Sequence, residues 1–174
     1  MTDDAAECAC PDTYPAWDGR DLDLGGTLVH TLPIPTFFHM PVGYESYLQR
    51  QQAVVEALEL EEEWPRFILT RTGFFRGSVT RLLKVADSPA RNIHVLPTPY
   101  NVHVVLHHGN VSTARRVLHE MQFALVEQGR VPKELYMSHL TCPRCSERKG
   151  GDKIMLIRRW EENATMKKRL SKER

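Results

Sequence analysis

The sequence predicts an α+β protein. It would be a pseudo-twofold duplicated βαββ module with antiparallel sheets, helices on one side and a ligand groove between the halves. Three observations carry that expectation. Val29-His30-Thr31-Leu32-Pro33-Ile34-Pro35 recurs as Ile93-His94-Val95-Leu96-Pro97-Thr98-Pro99, and the same spacing places His39 on His103. A strand, helix, strand, strand order reads twice along the chain. The 41% hydrophobic and 26% charged content is ordinary for a globular domain. Two copies are too few for a solenoid, so they should close on each other around a groove of the kind that takes small ligands.

The elements follow in order. Residues 1–26 are punctuated by Pro11, Pro15, Gly19, Gly25 and Gly26, which predicts an irregular arm. Asp18, Asp21 and Asp23 read there as solvated charge. Leu28 to Val42 reads as an extended strand. Proline removes a ladder donor, so Pro33 and Pro35 belong at a strand start, bulge or edge. Tyr44 to Glu63 reads as a helix ended by Pro65, with Tyr47, Gln51, Val54, Val55 and Leu58 on one face. Glu56, Glu59, Glu61 and Glu62 are left for solvent. Phe67–Thr72 and Ser78–Ala86 read as strands around Gly73 and Gly77.

The second half repeats the order. Ile93 to His108 is extended, with Val102, Val104 and Leu106 on one face and Gly109 breaking it. Ser112 is the expected N-cap of a helix carrying Val117, Leu118, Met121 and Leu125, which stops at Gly129. Glu134–Thr141 and Lys153–Trp160 are the last two strands. The domain is expected at 27–160, with repeats 27–90 and 91–160. Residues 161–174 form a basic tail that could meet a protein partner.

A net charge of +1 gives no case for nucleic acid. No run of 18 apolar residues exists to cross a membrane, and Met1-Thr2-Asp3-Asp4 opens no signal peptide. A cytoplasmic location with reduced thiols is expected. The four cysteines form two close pairs, Cys8-x-Cys10 and Cys142-Pro-Arg-Cys145. That spacing favours a metal over disulfides. Four thiolates suit a structural zinc, and the site would close if the arm folded back on the last hairpin. A redox pair, two separate free pairs, or a ligand set completed by His139 or another histidine are the alternatives. No glycine-rich phosphate loop, His-Glu-x-x-His or nucleophile elbow occurs. Haem ligation by His39 or His103 is a minor reading.

The doubled unit resembles the GyrI-like effector-binding superfamily, which includes SOUL-type haem binders. His107-His108-Gly109 resembles its "H-x-G" turn, Glu134-Leu135-Tyr136 its "E-x-Y", and Leu96-Pro97 its opening "l-P". The resemblance implies a groove for a flat hydrophobic ligand, often a cation, with Glu134 as countercharge and Tyr136 beside it. Phe37, His39, His103 and Trp64 would help line the groove. An apolar groove makes an unpaired carboxylate costly, so it would select a cation. The implied function is small-molecule binding or sensing. One alternative is hydrolysis of small electrophiles, with Glu134 as a general base of raised pKa. Another is a zinc-stabilised protein-interaction module. The chain lacks the helix-turn-helix of the family's transcription regulators, and its two cysteine pairs are unusual there.

Overall fold

The computed structural model describes residues 8–85 and 90–172. Residues 1–7 of the expected arm, Ala86 of the expected third strand and the last two residues of the tail lie outside the described residues.

The chain runs β1 (Asp21–Asp23), β2 (Leu28–Phe37), β3 (Met40–Pro41), α1 (Tyr44–Ala57), β4 (Glu61–Glu62), β5 (Ile68–Thr72) and β6 (Arg76–Val85). It continues as β7 (Ile93–Val95), β8 (Asn101–His108), α2 (Val111–Glu127), β9 (Arg130–His139), β10 (Lys153–Glu162) and α3 (Ala164–Lys172). All strands join one antiparallel sheet whose main path is β1-β8-β10-β9-β5-β6-β2-β3. The β2-α1-β5-β6 order recurs as β8-α2-β9-β10, and β5 meets β9 at the centre through Thr70↔Met137 and Arg71↔Tyr136.

The look-alike heptapeptides are not equivalent. Val29-His30 lies in β2, whereas Ile93-His94 lies in β7, and the two pair antiparallel as Val29↔His94 and His30↔Ile93. Leu32 is inside a long strand, whereas Leu96 follows a short one. Like β-rich segments make good sheet partners, so sequence likeness marked a pairing rather than a duplication. The strand matched by topology to β2 is β8. The extended run predicted from Ile93 to His108 breaks between Val95 and Asn101, where Pro97 and Pro99 stand.

Pro33 and Pro35 lie within β2, as edge positions. Thr31 donates its N–H outward to Asn92 O at 2.9 Å. Alternation aims positions 33 and 35 the same way, where no donor is required of them: Pro35 only accepts, from the Val42 N–H at 3.0 Å, and Ser78 and Arg76 of β6 stand opposite Pro33 and Pro35 on the inner side.

Both α1 and α2 cover one face of the sheet. Val55 and Gln51 of α1 are buried there, and Ala114 and Met121 of α2 pack on Ile154 and Leu156 of β10. The helix α1 stops at Ala57, short of the expected Glu63. Glu59 turns the chain at φ 50 and sends Glu61–Glu62 into β4, against β6. Glu62 is therefore not a solvent residue: it pairs with buried Arg81 at 2.9 Å. The N-cap of α2 is Asn110 rather than Ser112, because the Asn110 side chain accepts from the Thr113 N–H. Gly129 ends α2 at φ 73, as expected.

The opposite face carries the larger core of Val29, Leu69, Leu82, Val102, Val104, Met155 and Ile157. The arm packs on part of it through Tyr14, Trp17, Leu22 and Leu24. The three aspartates are exposed, as expected, and they also pin the arm. Asp18 accepts from the Leu106 N–H at 2.7 Å, and Asp23 accepts from the Tyr100 N–H at 2.7 Å. Asp21 meets His103 at 2.7 Å and Arg130 at 2.8 Å. Among the described residues no helix is long and apolar enough to cross a membrane.

Candidate functional site

A cavity of about 370 Å³ opens on the face away from the helices, across the β5–β9 junction. The rows of the sheet explain its lining. Pro33, Ser78, Arg71, Tyr136 and Ile157 stand opposite one another on β2, β6, β5, β9 and β10. All five line the cavity, as do Thr31, Leu69, Thr80 and Val102. Leu24 of the arm and Leu96 after β7 complete its apolar walls.

Glu134 and Tyr136 both line this cavity, two residues apart on β9 and so on one face. The Tyr136 hydroxyl lies 2.6 Å from that of Tyr100. Burial pushes the Tyr100 hydroxyl pKa up, and the bond to Tyr136 adds to it. The Arg159 guanidinium sits 4.8 Å from the Tyr100 ring centre and donates to Glu134 at 2.9 Å. Arg159 reaches the cavity by simple alternation, two residues beyond Ile157 and opposite Val102 of β8.

Burial works to raise the Glu134 pKa. The hydrogen bond within its own residue, Arg159 and the nearby Arg71 charge outweigh it and hold the carboxyl below its usual range. The expected raised pKa is thus reversed. The expected cation preference also loses its basis, since the carboxylate already has a countercharge. The lining residues Arg71, Arg159 and Glu134 sum to one positive charge.

Four expected groove residues lie elsewhere. Phe37 and His39 are at the β2–β3 hairpin tip, with Phe38 and His39 at φ 48 and 64. Phe37, Phe38, Phe74 and Phe75 make an exposed chain of edge-to-face rings there, with centroids 4.5 to 4.6 Å apart. Alternation beyond Pro35 did not aim them inward because the hairpin turns at Phe38. His103 pairs with Asp21, on the strand face opposite Val102. Trp64 packs against the core beside the arm. Arg71, Arg159 and Tyr100 were missed by sequence reasoning. The alternation of Leu69 and Arg71 marked one face, but only the cross-strand register shows what that face meets.

The cysteines meet. The Sγ atoms of Cys8, Cys10, Cys142 and Cys145 all lie within 4.8 Å of one another. Cys8 and Cys142 are 3.2 Å apart, and Cys142 and Cys145 are 3.7 Å apart. Thiolates bound tetrahedrally at about 2.3 Å from one zinc would stand about 3.8 Å apart. Cys10 and Cys145 are buried. Burial works to raise the Cys142 pKa, but bonds from Cys8, the Arg144 and Cys145 N–H groups and the Cys145 thiol bring it to about 6. The set is compatible with a metal site and leaves no ligand position open. Around it, Arg66 donates to Cys8 O at 2.9 Å and Lys149 to Pro11 O at 2.8 Å, fastening the arm.

The fold is shared with the EcmrR C-terminal domain, whose crystal structure aligns at a TM-score of 0.60. The alignment covers 83% of this chain and 97% of that one, at 14% identity. No curated protein matches the sequence. The family described as "Bacterial hydrolase" matches residues 1–160, which takes in the cysteine arm, the cavity and the last hairpin. The chain belongs to the bacterial hydrolase family.

Proposed function

We propose that this protein binds a small molecule in the cleft between its halves, and that Cys8, Cys10, Cys142 and Cys145 hold a structural zinc. The carrying observation is the cavity itself. Its apolar walls end at a few convergent polar groups, Glu134, Tyr136, Tyr100, Arg159 and Arg71, the usual character of a ligand site. Likeness to GyrI-like domains supports the same reading. The zinc would tie the arm, and with it Leu24 of the cavity wall, to the last hairpin.

The test fills the cleft. Ser78→Phe places a ring in the row beside Arg71. Planar aromatic compounds should raise the melting temperature of the parent protein. They should not raise that of Ser78→Phe, provided circular dichroism shows that variant folded. Equal shifts in both would place binding outside the cleft.

A second reading, hydrolysis of a reactive electrophile, is favoured by family membership and by an ionised carboxylate near two tyrosine hydroxyls. Glu134 would take a proton from water as the water oxygen bonds to the electrophilic carbon, and Tyr136 would donate a hydrogen bond to the leaving atom. A lowered pKa makes Glu134 a weak base, so this reading requires an activated substrate. Glu134→Gln should then abolish turnover while binding persists.

A further inference from the structure

We infer that the cleft selects ligands bearing an anionic group, a carboxylate above all, received by Arg71. The inference rests on the small-molecule reading of the cleft and names the ligand class.

Arg71 occupies the centre of the open face. It stands on β5 directly between Ser78 of β6 and Tyr136 of β9, and it lines the cavity. It is half-buried, yet among the described residues no carboxylate pairs with it and no side chain or carbonyl accepts from its guanidinium. The one acidic group in the lining, Glu134, gives its close contact to Arg159 at 2.9 Å, and Arg159 also holds Glu161 at 2.7 Å. Arg71 thus keeps its fork of N–H donors aimed at a cavity bounded by Leu24, Leu69, Leu96 and Ile157.

A guanidinium cannot escape its charge by losing a proton, and its two parallel donors match a carboxylate edge. A ligand carboxylate there would bring the lining to neutrality. Glu134, Arg71 and Arg159 leave one positive charge, and the ligand would supply the balancing negative one. A ligand cation would meet two guanidinium groups and a carboxylate already paired, and like charge in a partly desolvated site is unfavourable. The ligand's apolar body would lie against the leucines, with its anionic end at the β5–β9 junction.

Three probes of one shape test this: 2-naphthoate, 2-naphthylmethanol and 2-naphthylmethylamine, titrated calorimetrically into the full chain at low salt. Charge-assisted hydrogen bonds should make the naphthoate bind at least about tenfold tighter than the alcohol, with the amine weakest. Arg71→Gln should remove that advantage, bringing naphthoate down to the level of the alcohol in the same variant, with circular dichroism reporting that the variant is folded. Arg71→Lys should restore part of it. If the alcohol or the amine binds as tightly as naphthoate, the anion inference fails and the cleft reading stands. If none of the three binds the parent protein, both fail.

Discussion

Glu134 and Arg159 lie 2.9 Å apart, on neighbouring strands β9 and β10, where the register shifts so that Lys133 and Glu134 together oppose Arg159. The pair occupies the cavity wall and has a pH signature. The folded-state pKa of Glu134 lies below its unfolded value. The carboxylate therefore stabilises the fold above the ordinary carboxylate range, and that contribution disappears as pH falls through the folded value. Glu134→Gln should cost about 0.5–1 kcal/mol near neutrality, the scale of a partly exposed pair. The difference should vanish below about pH 3. Urea titrations of parent and variant at both pH values check it, and a difference that persists in acid would exclude the ion pair as its source.

His30 gives a second pH signature on the other face. Its ring is buried beneath α1 and its Nδ1 accepts from Gln51 Nε2 at 3.1 Å, which fixes the neutral form with the proton on Nε2. Burial, then the charges of Arg81 and His94, hold its pKa below the usual imidazole range. The unfolded chain then binds the extra proton first, so stability should fall as pH drops below about 6.5. His30→Asn should flatten the fall between about pH 7 and 5, whatever its cost at neutrality. An unchanged slope would move the effect to another histidine; His139, which burial also shifts down, is the next candidate.

Arg81 and Glu62 form the most enclosed ion pair among the described residues, with side chains 3% and 9% exposed. Arg81 also donates to Gln51 Oε1 at 3.0 Å and Gln52 Oε1 at 2.8 Å. Removing one partner of a buried pair leaves a charge without compensation. Glu62→Ala should cost about 3 kcal/mol. Lys84–Glu61, on the same two strands but exposed, is the control: Glu61→Ala should change stability by under about 1 kcal/mol. Similar losses in both would mean that β4 itself, rather than the buried charge, is what matters.

Which features could be read in advance follows from the range of the forces behind them. Helical periodicity placed α2 through Val117, Leu118, Met121 and Leu125, because the first three pack on the sheet and Leu125 is buried. The spacing of the cysteines signalled a shared site because chelation needs two thiols per loop, and all four converge. The Leu-Pro likeness between residues 32 and 96 misled, because strand pairing and duplication leave the same trace in composition. Family likeness pointed to Glu134 and Tyr136, whereas nothing in the sequence pointed to Arg71, Tyr100 and Arg159. Their meeting depends on the register between β5, β9 and β10, which no local pattern announces.

The exposed ring chain at the two hairpin tips should contribute little to folding. Phe75 is 63% exposed, with its ring edge-on to Phe74 at 4.5 Å between centroids. Phe75→Ser should alter stability by less than about 0.5 kcal/mol. It should also raise the concentration at which the protein stays monodisperse, since contiguous exposed apolar surface drives association. Light scattering against concentration, beside a thermal melt, reads both. A loss of several degrees in the melt would show that the rings brace the hairpins.

The cysteine site should govern the arm. Pro11 O, Asp12 and Cys8 O are all held by Lys149 or Arg66, and Trp17 lies edge-on to Phe67 with centroids 5.9 Å apart. If a zinc binds the four thiols, elemental analysis should find about one equivalent per chain. Cys145→Ser should lower it sharply and cost at least about 2 kcal/mol, or about 4–8 °C in the melt. The loss should begin in the arm. Chelation should make the chain near Trp17 sensitive to protease and shift tryptophan emission to the red before the sheet melts, because the arm reaches the core through few apolar side chains of its own. Metal-free protein with a protected arm and unchanged emission would mean that hydrogen bonds and Trp17 packing suffice, and that the thiols converge without an ion to hold.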